Sequence, residues 1–247
     1  MNSSTSIFKT INAQQQQQQQ QQRLCVLQLA LVALAAVGCA AGPKPADWQL
    51  ETKGALERSV AAYLEGNSRV EAVELSRARR EVSSTGRVDL MARAELVHCA
   101  SHVASLEFEA CTGFEKLRQD APPAERAYAN YLAAKLSPQD ALLLPAQHRS
   151  LAASQAEASG AGDAALKSIT DPLSQLVAAG VLLQKGQASP AVVQMAVDAA
   201  SAQGWRRPLL AWLGVQLKLA EKGGDSAQIA RLRRQIDLTQ GDAKAAR

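Results

Sequence analysis

Glu95-x-x-His98-x-x-x-His102 is the densest group of chemistry-bearing side chains in this chain of 247 residues. Residues three and four apart share a helix face, so a helix here sets one carboxylate and two imidazoles on one side. That donor set holds zinc or copper with a water in the open position. The competing reading is a histidine pair at the edge of a core. A zinc protease carries a glutamate directly after its first histidine, and here Cys99 stands in that place. His148, the remaining histidine, is far along the chain.

Other catalytic patterns are missing. There is no Gly-x-Ser-x-Gly elbow for a nucleophile and no glycine-rich phosphate loop following a strand. Glu107 and Glu109 are paired carboxylates, but nothing in the sequence sets them across a cleft. The expectation is a protein that is not an enzyme and needs no cofactor. Net charge is +4, and removing residues 1–38 leaves 25 basic against 23 acidic residues. A chain this balanced has no electrostatic footprint for nucleic acid. Arg77–Arg80, Arg206–Arg207 and Arg231–Arg234 read as contacts to anionic headgroups or as charged helix faces, since acids interleave.

The N-terminus reads as an address. Nine glutamines, Gln14–Gln22, form a low-complexity tract, followed by Arg23 and the apolar run Leu24–Val37 of 14 residues, broken only by Gln28. A spanning helix needs about 20 apolar residues, so this run fits a signal-peptide core instead. It ends Ala36-Val37-Gly38-Cys39. The segment resembles the lipobox of bacterial lipoprotein signal peptides, in which small or aliphatic residues and a glycine precede a cysteine. The family pattern carries leucine three positions before the cysteine, where this chain has Ala36, so ordinary signal cleavage is the alternative. The resemblance implies removal of residues 1–38 and acylation of Cys39, which would become the first mature residue. Ala40, not an aspartate, follows Cys39. The resemblance thereby points to the outer membrane, with the mature chain facing the periplasm. Residues 39–46, with Pro43 and Pro45, would be a stiff lipidated tether.

Four cysteines are present. With Cys25 in the signal core and Cys39 acylated, Cys99 and Cys111 remain as an even pair in an oxidising compartment. They are expected to form a disulfide, worth roughly 3 kcal/mol in a chain-entropy account. Two free buried thiols are the alternative.

What must position these groups is helical. Hydrophobic residues are 47% of the chain and aromatics only 4%, and abundant Ala and Leu favour helix over sheet. Apolar spacing predicts helices over Asp47–Glu65, Ser68 to about Ser83, Val88 to about Phe108 and Ala124–Leu136. Ser137-Pro138, Asp171-Pro172, Ser189-Pro190 and Arg207-Pro208 each read as an N-cap followed by proline at the first helical position. Starts at 171, 189, 207 and 225 are 18 residues apart, with Gly186, Gly204 and Gly223-Gly224 as stops. A hairpin every 36 residues is close to the tetratricopeptide period, and the pacing resembles that family. Tyr63, Gly66, Ala72 and Ala78 follow its small and aromatic positions once, offset by one residue. Leu209–Leu219 is apolar nearly all round and reads as a central helix.

The reading is an all-α domain over residues 47–247. It consists of antiparallel helical hairpins packed as a short α-solenoid or an irregular bundle, with a subdivision near 151–162. The function it implies is a lipid-anchored, non-enzymatic binding or scaffolding module for another envelope component. A periplasmic metal-binding protein using Glu95, His98 and His102 is the alternative.

Overall fold

The structure, a computed structural model, describes residues 45–154 and 161–245. The signal segment, the glutamine tract, Cys25 and Cys39 lie outside the described residues, as do 155–160 within the boundary expected at 151–162. Every regular element among the described residues is helical.

Helices α1 (Asp47–Glu65) and α2 (Ser68–Ser83) form the first hairpin. The turn needs a left-handed residue, and Gly66 supplies it at φ 91° without a Cβ penalty. Asn67 then caps α2, its side chain accepting from Val70 N at 3.2 Å. Glu71, Leu75, Ala78 and Val82 are the buried stripe of α2, at alternating steps of four and three residues.

Helix α3 (Val88–Ala104) follows, with eight buried residues. It stops short of Phe108 because Leu106 takes φ 63° and Glu107 N donates back to His102 O at 3.0 Å. After α4 (Thr112–Glu115), α5 (Pro123–Leu132) also ends earlier than its apolar spacing suggests, at a left-handed Ala134 of φ 57°. Ser137-Pro138 opens a 3-10 helix, Pro138–Leu143, rather than an α-helix. Helices α6 (Ala146–Ser154) and α7 (Ala161–Lys167) follow.

The paced C-terminal half is α8 (Pro172–Gln184), α9 (Pro190–Ala202), α10 (Arg206–Gly223) and α11 (Ser226–Ala245). Asp171, Ser189 and Asp225 cap α8, α9 and α11 through side-chain oxygens at 2.8, 3.1 and 2.9 Å from backbone N–H groups. Helix α10 starts one residue before the expected cap Arg207, with Trp205 at its N-cap, so Pro208 falls at the third helical position. Proline is still tolerated there, because no N–H in the first turn has an intrahelical partner.

Packing decides between solenoid and bundle. Helix α3 contacts α1, α2, α5 and α8, and α10 returns to contact α1. Solenoid repeats touch only their neighbours, so these distant pairings make an irregular bundle. Leu176, Val177, Val181 and Leu182 of α8 are all at most 2% exposed. Together they contribute on the order of 6–12 kcal/mol of transfer free energy. Helix α10 is covered by α1, α9 and α11, yet Leu219 is 42% exposed, so the deepest helix is α8. Gly180 permits the α3–α8 contact: a Cβ there would lie 2.6 Å from Val103 O.

Candidate functional site

Two features beside α3 have the geometry of sites. The first grows from the histidine face. His98 and His102 share one side of α3, and the carboxylate that meets them is Glu71, from the first turn of α2. Glu71 Oε1 stands 3.4 Å from His98 Nδ1 and 3.3 Å from His102 Nε2. One ligand atom from each of the three lies within 4.8 Å of the other two. His102 Nδ1 faces Glu107 Oε2 at 2.8 Å, in the loop after α3.

Glu95 is turned elsewhere. Its carboxylate takes a bidentate pair from Arg79, Nε at 2.6 Å and Nη2 at 2.7 Å, and is nearly sealed from water. The space it occupies lies against Gly113, where a Cβ would collide with it. The structure thus brings together His98 and His102 with Glu71, and holds Glu95 in a separate ion pair. Glu71 carries no signal in the sequence, since it lies on a different helix and off the spacing that marks Glu95.

The cluster is held rigidly. Tyr63 stacks on His102 with ring centroids 4.1 Å apart, and the Arg207 guanidinium carbon lies 4.1 Å from the Tyr63 ring centroid. Arg207 Nε also donates to Tyr63 O at 2.7 Å and Nη2 to Ser68 Oγ at 2.7 Å, tying α10 to the α1–α2 turn. Cys99, beside His98, and Cys111 lie at disulfide distance, with Cα atoms 5.8 Å apart. That link fastens the loop after α3 to α3 itself. Burial, followed by the neighbouring His102, pushes the His98 imidazole down to about 4. Near neutral pH its ring is therefore uncharged, with a lone pair to offer. His98, His102 and Glu107 open on a cleft of about 720 Å³ with a mixed polar and apolar lining.

The second feature is a trough between α1 and α3. Trp48, Thr52, Leu56, Val60 and Leu64 follow one another at four-residue steps and line one wall. Leu90, Ala94 and Val97 of α3 form the other, with Trp205 from the N-cap of α10. The volume is about 620 Å³, the lining is almost wholly apolar, and the trough is open to solvent along one side. From Trp48 to Leu64 it follows α1 for about 24 Å. Thr52 Oγ1 is buried in this wall without a hydrogen-bond partner. Lys53, Arg87 and Arg93 also line it, each already paired within the chain, with Glu57, Asp89 and Glu125 respectively.

Half of the arginines in the three clusters form ion pairs within the chain. Arg77 pairs with Glu51, Arg79 with Glu95, Arg207 with Glu107 and Arg233 with Glu221.

His148 lies outside both features, 1% exposed, with Tyr131 Oη 3.3 Å from its Nδ1 and the Tyr128 ring 5.7 Å away. Burial lowers its pKa from 6.5 to about 4, against a weaker opposing pull from Asp171. The unfolded chain therefore takes this proton first. The stabilising contribution is complete above pH 6.5 and is lost as pH falls toward 4. An NMR titration, with the ring signals assigned by His148→Gln, is expected to give a midpoint near 4. A midpoint near 6.5 would contradict the burial argument.

No family model, curated protein or solved structure matches this chain.

Proposed function

We propose that the chain is an exported envelope protein, anchored to the outer membrane by an acylated Cys39 and facing the periplasm. There it acts as a non-enzymatic binding module. Its activity is to seat the apolar face of a helix from an envelope partner protein in the α1–α3 trough. The Cys99–Cys111 pair supports the address, because disulfides persist in oxidising compartments.

The trough carries the binding reading. Contiguous concave apolar surface is costly to leave in water and marks interaction sites. Its open side discriminates between occupants. An acyl chain lying there would stay half wet, whereas an amphipathic helix buries one face and leaves the other solvated. About 24 Å corresponds to about 16 helical residues, enough for four or five anchoring side chains. Trp48 and Trp205 are the residue type most enriched at interface hot spots.

The test uses a synthetic amphipathic helix of about 16 residues with a Leu/Ala face. Trp48 and Trp205 line the trough while Trp212 is fully buried, so a change in tryptophan emission reports occupancy. Saturable binding is expected, weakened by at least about tenfold in Val60→Asp, a difference of about 1.4 kcal/mol. Equal binding by a scrambled peptide, or none by any peptide, would reject the trough as a helix site. Saturable binding of palmitate alone would replace the helix with a lipid.

A further inference from the structure

We infer that Glu71, His98 and His102 bind a divalent transition metal, zinc by the chemistry of the donor set, with Glu107 as the outer carboxylate that orients His102. This site is distinct from the trough and rests on separate observations.

Distances favour a metal over plain hydrogen bonding. An N–H···O bond settles near 2.9 Å, yet both imidazole nitrogens stand 3.3–3.4 Å from the same oxygen, Glu71 Oε1. Zinc bonds of about 2.0–2.1 Å in a tetrahedron set neighbouring ligand atoms about 3.3 Å apart. The two separations from Glu71 match edges of that tetrahedron, and the three ligand atoms lie within 4.8 Å of one another. A cation shared among them would satisfy all three groups together.

Proton counting points the same way. His102 has a carboxylate opposite each ring nitrogen, Glu107 at Nδ1 and Glu71 at Nε2. A neutral imidazole carries one N–H. If Nδ1 donates to Glu107 at the short 2.8 Å distance, the Nε2 lone pair faces a carboxylate oxygen and the contact is repulsive. A metal at that point converts the repulsion into two coordinate bonds. The arrangement then becomes the carboxylate–histidine–metal relay that fixes tautomer and ring orientation. Arg207 Nη1, 3.6 Å from Glu107, helps hold the outer carboxylate in place.

The donors are nitrogen and oxygen, suited to zinc, while the nearest sulfurs are spent on each other. His98 and His102 line the polar cleft, which gives the ion an entry path and a solvent ligand for the fourth position. The alternative occupant is a proton, with an imidazolium at His102 bridging Glu71 and Glu107.

The experiment is equilibrium dialysis of the untagged full chain against Zn²⁺ after chelator treatment, with Co²⁺ absorption as the geometric readout. One zinc per chain and the intense visible bands of four-coordinate Co²⁺ are expected. Glu71→Gln and His102→Ala are expected to abolish stoichiometric binding. Glu107→Gln weakens it by about 10- to 100-fold. Glu95→Gln, which breaks only the Arg79 pair, leaves it unchanged. Because a ligand variant can also lose structure, the wild-type melting temperature is measured with zinc. It rises with concentration if the folded state binds the ion. Absence of stoichiometric zinc in the wild type, or full binding by Glu71→Gln, overturns the site and leaves the imidazolium bridge.

Discussion

Trp212→Ala is expected to lower stability by about 4 kcal/mol, the upper range for removing a buried aromatic side chain. The indole is fully buried, and its Nε1 donates to Ala104 O at 3.1 Å. Ala104 is the last residue of α3, where carbonyls have no intrahelical partner. Truncation therefore opens a cavity and strands a buried acceptor at once. Trp212→Phe separates the two, keeping most of the packing and costing about 1–2 kcal/mol for the lost bond. Urea unfolding followed by circular dichroism measures both, since emission itself changes with the substitution. A loss below about 1 kcal/mol for alanine would show that α10 is not anchored to α3 through this residue.

The second large effect comes from adding one methyl group. Gly180→Ala places a Cβ 2.6 Å from the Val103 carbonyl oxygen and 3.1 Å from Val103 Cγ1. The first of these is backbone within α3, so α3 and α8 must move apart. Overpacking of this kind costs about 1–3 kcal/mol, and the backbone partner puts this case at the upper end. Gly214→Ala in α10 is the matched comparison, because nothing lies within 4 Å of its added Cβ. It is expected to stabilise by about 0.5–1 kcal/mol, the ordinary cost of helical glycine. Thermal unfolding should show opposite signs for the two, with about 2–4 °C per kcal/mol for a chain of this size. Equal effects would mean that the α3–α8 contact is looser than described.

How far the sequence reveals this molecule depends on whether a feature is local. Asp171, Ser189 and Asp225 cap their helices because a side-chain oxygen needs only the next three residues to do so. The all-α class, the α1 and α2 spans and the Cys99–Cys111 pair were legible for similar reasons of composition, period and count. Helix ends at Leu106 and Ala134 were not. Both are non-glycine residues in left-handed backbone, held there by surroundings that local preference does not encode. The partner of the histidine face was hidden likewise. Spacing pointed to Glu95, but Arg79 claims that carboxylate, and Glu71 reaches the imidazoles from another helix. The trough was invisible for a different reason. Leu56, Val60 and Val97 look like core positions, and only packing reveals that nothing in the described chain fills the space beside them. Regular 18-residue pacing marked hairpins correctly but could not show that α10 closes back on α1.

Position-resolved photo-crosslinking in the native envelope tests the central claim most directly, with the reactive residue placed one site at a time along α1. Adducts of a single mass are expected from Thr52, Leu56 and Val60, which line the trough, and not from Arg58 or Glu65, which do not. Helical periodicity in the yield, with the Thr52 and Leu56 adducts abolished by Val60→Asp in the same chain, is the predicted result. Uniform or absent crosslinking along α1, or adducts only from its other faces, would contradict a partner helix seated between α1 and α3.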